Sequence, residues 1–177
     1  MDGFAFCARW LLGLLFASGA AERLLRPAPL RAALDRFGLF GEAGRRLAVV
    51  AIPLWEGALG ALLLGGVLPR VVLGLAGLTW GVYAGIVWRR LALGEAGSEC
   101  GCGGVLATGT VSGGLVARNG ILAALALVVA LTHWGPLPVA ARLPAALTVI
   151  GLTASGWVWA TAGRTLAPAT APTPTSD

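Results

Sequence analysis

Apolar runs long enough to cross a lipid bilayer recur along this chain. Crossing the hydrocarbon core takes about 20 helical residues. Five windows reach that length: Phe4–Leu25, Leu47–Leu68, Val71–Leu93, Leu115–Trp134 and Val139–Ala162. Because lipid offers the backbone no hydrogen-bond partners, each window is predicted to be a helix. The pattern therefore predicts an all-α membrane protein, a compact bundle of about five transmembrane helices with a four-helix core plus one.

The segment between the first two windows has a different pattern. In Pro27–Arg46, apolar residues recur at helical spacing at Leu30, Ala33, Leu34 and Phe37, and charged residues fall largely on other faces. The segment is too polar to span a membrane, so we predict an interfacial amphipathic helix. It is either a plain connector or a cap over the loop before the fourth window, which an alternating bundle places at the same end.

Composition supports a membrane protein with one folded domain. The 177 residues are 57% hydrophobic and 12% charged, with a mean hydropathy of +0.83, which is too apolar for a soluble domain of this size. We expect residues 1–165 to form a single helical transmembrane domain. Residues 166–177 are rich in Pro, Thr and Ala and are expected to form a disordered tail.

The net charge of +5 is carried by arginine, because the sequence contains no lysine. If the five helices alternate, one end of the bundle carries Arg23, Arg26, Arg31, Arg36, Arg45, Arg46, Arg89, Arg90, Arg118 and Arg164. The other end carries Arg9, Arg70 and Arg142. The excess of basic residues in short inner loops places the first group in the cytoplasm. Such loops contact lipid phosphates, so the charge indicates a bilayer partner and no nucleic acid.

Two cysteines separated by one residue, Cys100 and Cys102, lie in the loop before the fourth window. A disulfide across one residue closes a small, strained ring, which favours a labile or catalytic bond over a structural one. Gly101 between them permits the tight turn that this ring needs. Cys7 falls at the opposite end of an alternating bundle and is expected to be a packing residue. The pair predicts thiol-disulfide exchange at a membrane surface.

Three polar residues inside the apolar windows are candidates to assist this chemistry. A carboxyl at the depth of Glu56 is costly unless it faces the bundle interior. Glu56 either handles protons within the membrane or is satisfied by an interhelical hydrogen bond or an arginine. Arg118 would stabilise a thiolate on Cys100 or Cys102, or would instead extend to the lipid headgroups. The short amide of Asn119 beside it favours a built site.

Five short motifs, in this order, resemble the MauE branch of the DoxX-like membrane proteins. They are Ser18-Gly19, Pro53-Leu-Trp-Glu56-Gly57, Cys100-Gly-Cys102-Gly, Val111-Ser112 and Arg118-Asn119, and they cover roughly residues 9–130. That family consists of small helical membrane proteins linked to methylamine utilisation. Its type member is needed, with a thioredoxin-like partner, for maturation of the disulfide-rich small subunit of methylamine dehydrogenase. The chain departs from the family at Glu22 and Arg23, which stand where a lysine is usual.

The resemblance implies a multi-pass protein of the plasma membrane that acts as a thiol-disulfide relay through Cys100 and Cys102. It also implies family-typical positions for Glu56, Arg118 and Asn119, exchange with a thioredoxin-like partner, and a part in a thiol-disulfide oxidoreductase system. A quinone, a second protein or Cys7 would have to complete the electron path, because one thiol pair cannot carry electrons through a bilayer.

The membrane face and two other function classes stay open at this point. The family role favours an extracytoplasmic partner, whereas the arginine count favours the cytoplasmic face for the cysteine loop. One alternative function is a soft-metal protein that holds copper between two thiolates. The other is a non-catalytic membrane chaperone or scaffold. The sequence shows no metal-ligand pattern and no motif for a tightly bound cofactor.

Overall fold

A computed structural model describes residues 2–38, 41–97, 110–132, 143, 146–151 and 153–155 of the chain. Its main helices are α1 (Asp2–Leu25), α2 (Pro27–Phe37), α3 (Glu42–Gly65), α4 (Pro69–Ala92) and α5 (Gly113–Leu131). Four of them, α1, α3, α4 and α5, are long and apolar enough to cross a membrane. The described residues contain helices and no strand, so the predicted all-α membrane fold is confirmed.

Two of the predicted windows differ from the observed helices by more than three residues at one end or both. α3 begins at Glu42 instead of Leu47, because a helix tolerates charged residues in a first turn that lies outside the apolar stretch. Glu42 suits the positive end of the helix dipole and forms an ion pair with Arg46 one turn later. Of the fifth window, the structure describes a shorter apolar helix within Ala146–Ser155. The rest of that window and the predicted tail lie outside the described residues.

The bundle is built from two closely packed helix pairs, α1 with α3 and α4 with α5. Their shared core includes Leu12, Phe16, Leu59, Leu63, Leu73, Ala76, Ala126 and Val129. α3 and α4 contact each other much less than either contacts its main partner, although only residues 66–68 separate them along the chain. Space therefore remains between α3 and α4.

Consecutive long helices run in opposite directions, so the bundle has two distinct ends. We call the end that holds the last turns of α1 and α4 and the first turns of α3 and α5 the cysteine-loop end. The described arginines at this end are Arg23, Arg26, Arg31, Arg36, Arg45, Arg46, Arg89, Arg90 and Arg118. Arg9 and Arg70 lie at the opposite end, where the Arg9 guanidinium approaches Gly66. The arginines are thus segregated as helix alternation predicts.

α2 is the predicted amphipathic helix. Its buried face consists of Leu30, Ala33 and Leu34, and this face packs against Ala48 and Val49 of α3. The helix ends at Phe37 because Gly38 adopts a left-handed conformation with φ 59°, a common way to end a helix. α2 consequently lies against α3 at the cysteine-loop end.

Gly60 sets the closest approach of α1 and α3. A Cβ atom built at Gly60 would lie 2.9 Å from the backbone nitrogen of Ala17 and 3.0 Å from the carbonyl oxygen of Gly13. Because backbone atoms cannot move aside locally, Gly60→Ala is expected to force the helices apart and to lower the free energy of unfolding by about 1–3 kcal/mol. Denaturant titration of the purified protein in detergent measures this change.

Gly74 of α4 provides the matched control, since a Cβ built there meets nothing within 4 Å. Gly74→Ala is expected to be neutral or to stabilise the helix by up to about 1 kcal/mol, as alanine is the better helix former. Equal effects of the two substitutions would show that α1 and α3 are not held at this distance.

Candidate functional site

Six side chains from the four long helices form a layer inside the bundle, about half way along α3 and α4. We call it the polar layer, and its members are Arg23 of α1, Glu56 of α3, Trp80 and Tyr83 of α4, and Arg118 and Asn119 of α5. Ionisable groups inside membrane-spanning helices are rare and usually functional. The layer is therefore the candidate site within the described bundle.

An ion pair between Arg23 and Glu56 is the centre of the layer. Glu56 is 2% exposed and Arg23 9% exposed, and Nη1 of Arg23 donates to Oε2 of Glu56. Helical side chains lean toward the helix N-terminus, so Arg23 in the last turn of α1 reaches back into the bundle. Because a buried charge is tolerated only when it is paired, each of the two side chains allows the other to stay charged inside the bundle. Of the roles predicted for Glu56, the structure shows the pair with an arginine.

Tyr83 satisfies the second oxygen of the carboxylate. Its hydroxyl donates to Oε1 of Glu56 at 2.6 Å, and the Arg23 guanidinium lies 5.8 Å from the centre of its ring. Gly19 lies beside the ion pair, where an added Cβ would be 3.5 Å from Nη1 of Arg23. Gly57, which follows Glu56 on α3, faces Ala20 of α1. The Ser-Gly motif of α1 and the Glu-Gly motif of α3 therefore converge on one point.

Arg118 and Asn119 form the second half of the layer. Asn119 is fully buried, and its Oδ1 accepts hydrogen bonds from Nε and Nη2 of Arg118 at 3.3 and 3.2 Å. The Arg118 guanidinium lies 5.7 Å from the centre of the Trp80 ring, which meets Tyr83 edge-on at 6.0 Å. Arg118 is thus held against its own helix and Trp80, and aromatic contacts connect it to Glu56.

The polar layer has more hydrogen-bond donors than acceptors. Nε of Arg23, Nε1 of Trp80 and Nδ2 of Asn119 are buried and have no hydrogen-bond partner among the described residues. Buried polar atoms are normally paired, and each exception calls for a physical explanation. The layer therefore contains buried donors that its own acceptors do not satisfy.

The two sides of the cysteine loop are held together at the end of the bundle. The Gly97 N–H donates to the Val111 carbonyl at 2.9 Å, which joins the residues flanking segment 98–109. Val111 packs with Val87 and Leu115, and Phe37 of α2 packs on the same cluster. Cys100 and Cys102 belong to segment 98–109 and lie outside the described residues. We call Gly97, Val111 and the side chains packed on Val111 the base of the loop, and the end of α2 contacts it through Phe37.

A second charged cluster fixes the turn that leads into the loop. Arg90, in the last turn of α4, is 9% exposed. It forms an ion pair with Glu95 and lies 4.9 Å from the centre of the Phe37 ring. This arrangement ties the end of α2 to the start of the loop through a cation-π contact.

The sequence identified Glu56, Arg118 and Asn119 but missed Arg23, Trp80 and Tyr83. Arg23 had been counted with the loop arginines, although it follows the Ser-Gly motif by one helical turn, a spacing that placed it on the same face as Gly19. Tyr83 is the only tyrosine of the chain and lies in the middle of an apolar window, which was the available signal.

The remaining sequence candidates are far from this layer or make no cluster. Cys7 is a half-buried free cysteine near the N-terminus of α1, at the end opposite the cysteine loop. Within the part of the chain that the structure describes, no group of three His, Cys, Asp or Glu side chains could hold a metal ion.

These features define a multi-pass helical membrane protein with an ion pair buried inside its bundle. The family described as "Methylamine utilisation protein MauE" matches residues 1–133, which include α1 to α5 and both loop cysteines. The chain belongs to the MauE family and is a membrane protein of methylamine utilisation. No curated protein and no solved structure matches it.

Proposed function

We propose that the protein is the membrane component of a thiol-disulfide relay, in which Cys100 and Cys102 exchange electrons with a thioredoxin-like partner. The relay supports maturation of a disulfide-containing protein at the plasma membrane. The link of the family to methylamine utilisation makes the small subunit of methylamine dehydrogenase the first substrate to test.

The hydrogen bond between Gly97 and Val111 is the observation that carries this proposal. It fixes both ends of segment 98–109 at the end of the bundle. Chain length alone then keeps Cys100 within about 11 Å of Gly97, because an extended chain spans at most ~3.6 Å per residue. Thiols near the end of a bundle are within reach of a soluble partner, whereas thiols in its middle are not.

The exchange runs through a mixed disulfide. A thiolate of the reduced partner attacks the Cys100–Cys102 disulfide, and one loop cysteine leaves as a thiolate. The second partner thiolate then attacks the mixed disulfide and releases the partner in oxidised form. Two electrons and two protons have passed from the partner to Cys100 and Cys102, which are now thiols. The strain of a ring across one residue favours this direction.

The polar layer serves the loop through Arg118, Asn119 and Glu56. Arg118 follows Gly113, the first residue of α5, by five residues, or about 8 Å of helix at 1.5 Å per residue. Its positive charge favours a thiolate in the loop. Asn119 acts as a positioning residue, because its carbonyl oxygen holds the Arg118 guanidinium. Glu56 handles protons within the layer, with the Tyr83 hydroxyl as its hydrogen-bond partner.

Trapping a mixed disulfide tests the proposal. A protein with Cys100→Ser or Cys102→Ser keeps one attacking thiol in the loop but cannot resolve the intermediate. One of these proteins is expected to form a stable, reducible adduct with a thioredoxin-like partner whose resolving cysteine has been replaced by serine and whose remaining cysteine carries 5-thio-2-nitrobenzoate in a mixed disulfide. The loop thiolate attacks the partner sulfur, and thionitrobenzoate leaves. Non-reducing gel electrophoresis detects the adduct, and mass spectrometry of the linked peptides identifies the bonded cysteine.

Cys7 supplies the control, since it lies at the opposite end of the bundle. Cys7→Ser added to the trapping variant should leave the adduct unchanged, and a protein that keeps only Cys7 should form none. An adduct through Cys7, or the absence of an adduct with both single-cysteine loops, would contradict the proposal.

A further inference from the structure

A cavity of about 460 Å³ lies between α2, α3 and α4, where α3 and α4 diverge. Leu30 and Leu34 of α2, Ala51 and Trp55 of α3, and Val82 of α4 contribute to its wall. This volume falls within the ~300–1,000 Å³ range typical of small-molecule sites. Because the wall is almost entirely apolar, an occupant must be apolar over most of its surface.

Arg23 brings hydrogen-bond donors to one side of this cavity. Among the described residues that line the cavity, Arg23 is the one with a charged side chain. Nη1 of Arg23 is used by Glu56, whereas Nη2 makes no hydrogen bond to a described residue. A guanidinium carries five N–H groups, so donors remain for a ligand. The Tyr83 ring lies on the same wall, and its hydroxyl is engaged by Glu56.

The cavity also shares a wall with the base of the cysteine loop. Phe37 lines the cavity and packs on the cluster of Val87, Val111 and Leu115. Since Val111 accepts the hydrogen bond that closes the loop, the cavity and the loop base are separated by the thickness of one side chain.

We infer that this cavity binds an isoprenoid quinone, which accepts the electrons that Cys100 and Cys102 collect from the partner. The inference rests on the proposed function, because it names the electron acceptor of that relay. A quinone carbonyl accepts a hydrogen bond from Arg23, and the isoprenoid chain extends along the apolar wall between α3 and α4 toward the lipid.

Depth and charge favour a quinone over a phospholipid. Tyr83 precedes the end of α4 at Ala92 by nine residues, which is about 14 Å of helix. A charged headgroup at that depth would lose its hydration. It would also add a negative charge beside an ion pair in which Glu56 already balances Arg23. A quinone carbonyl is a neutral acceptor, so it meets neither cost.

The redox step balances with the quinone as oxidant. Two cysteine thiols lose two electrons and two protons as the bond between Cys100 and Cys102 forms. The quinone gains two electrons and two protons on its two carbonyl oxygens and becomes a quinol. The disulfide is thereby restored for the next reduced partner.

Direct binding of decylubiquinone tests the inference. The probe is titrated onto protein reconstituted in nanodiscs of synthetic phospholipid, and uptake by empty nanodiscs is subtracted. The wild type is expected to bind saturably, at one quinone per protein. Ala51→Trp fills the cavity and is expected to raise the dissociation constant at least about tenfold, a loss of ~1.4 kcal/mol. Ala58→Trp, at an exposed position two turns further along α3, is expected to bind as the wild type does.

A protein with Cys100→Ser and Cys102→Ser separates the cavity from the relay. It is expected to bind decylubiquinone as tightly as the wild type but to form no quinol after treatment with reductant. Normal binding by the wild type without quinol formation would overturn the assignment of the quinone as electron acceptor. The cavity assignment would be overturned if the protein bound no more decylubiquinone than empty nanodiscs take up, or if the two tryptophan variants had equal affinities. It would also be overturned by a co-purified phospholipid that decylubiquinone does not displace.

Discussion

Glu56→Leu is expected to lower the free energy of unfolding by about 3–5 kcal/mol, the usual effect of removing one partner of a buried ion pair. The substitution leaves the Arg23 guanidinium buried without a counter-charge. It also removes the acceptor of the Tyr83 hydroxyl. Denaturant titration of the purified protein in detergent measures the change, and the protein yield from membranes gives a second readout.

Two further variants separate the buried charge from a general effect of changing a helix residue. Glu42→Ala breaks the exposed pair with Arg46 and should change stability by less than about 1 kcal/mol. Arg23→Met combined with Glu56→Leu replaces the whole pair by apolar side chains, and it should recover most of the lost stability. If Glu56→Leu alone were as mild as Glu42→Ala, the pair would not be the centre of a buried layer.

The double replacement also separates stability from chemistry. A protein in which Arg23→Met and Glu56→Leu restore stability but not partner oxidation would show that the pair acts in the reaction, through the proton handling of Glu56 or the quinone contact of Arg23. Recovery of both properties would limit Glu56 to holding the helices together. The pair is well suited to this test because a single side chain on each of α1 and α3 makes the contact.

The helices were predictable because the information that specifies them is local. The length of an apolar run gives a membrane span, and this was enough to find α1, α3, α4 and α5. The 3.6-residue period gives an amphipathic face, and this found α2 with its buried Leu30, Ala33 and Leu34. The start of α3 was missed, because the hydropathy of its first turn is that of a loop even though its backbone is helical.

The site was predictable only in part, because its contacts join distant parts of the chain. Glu56 and Asn119 stood out as polar residues at depths where lipid cannot solvate them. Arg23 did not, since it lies 33 residues from Glu56 and close to the end of an apolar window. Its inward direction depends on the lean of helical side chains and on how α1 packs against α3. The cavity exists because α3 and α4 diverge, and no short stretch of sequence predicts that divergence.

Serine at both Cys100 and Cys102 is expected to abolish oxidation of the thioredoxin-like partner, reducing it to the rate in membranes that lack the protein. Serine is nearly the same size as cysteine but cannot form or exchange a disulfide. The base of the loop should survive the change, because a backbone hydrogen bond between Gly97 and Val111 and the cluster around Val87 hold it together. The redox state of the partner, measured in cells by thiol alkylation and gel shift, reports the effect.

Cys7→Ser is the control for this loss, and it should leave partner oxidation intact because Cys7 lies at the far end of the bundle. Unchanged oxidation of the partner without Cys100 and Cys102 would remove the basis of the relay. Metal analysis of the wild type and of the variant with serine at Cys100 and Cys102 tests the soft-metal alternative. The thiols would be assigned to metal binding if the wild type bound copper, the variant without Cys100 and Cys102 did not, and the two proteins oxidised the partner equally.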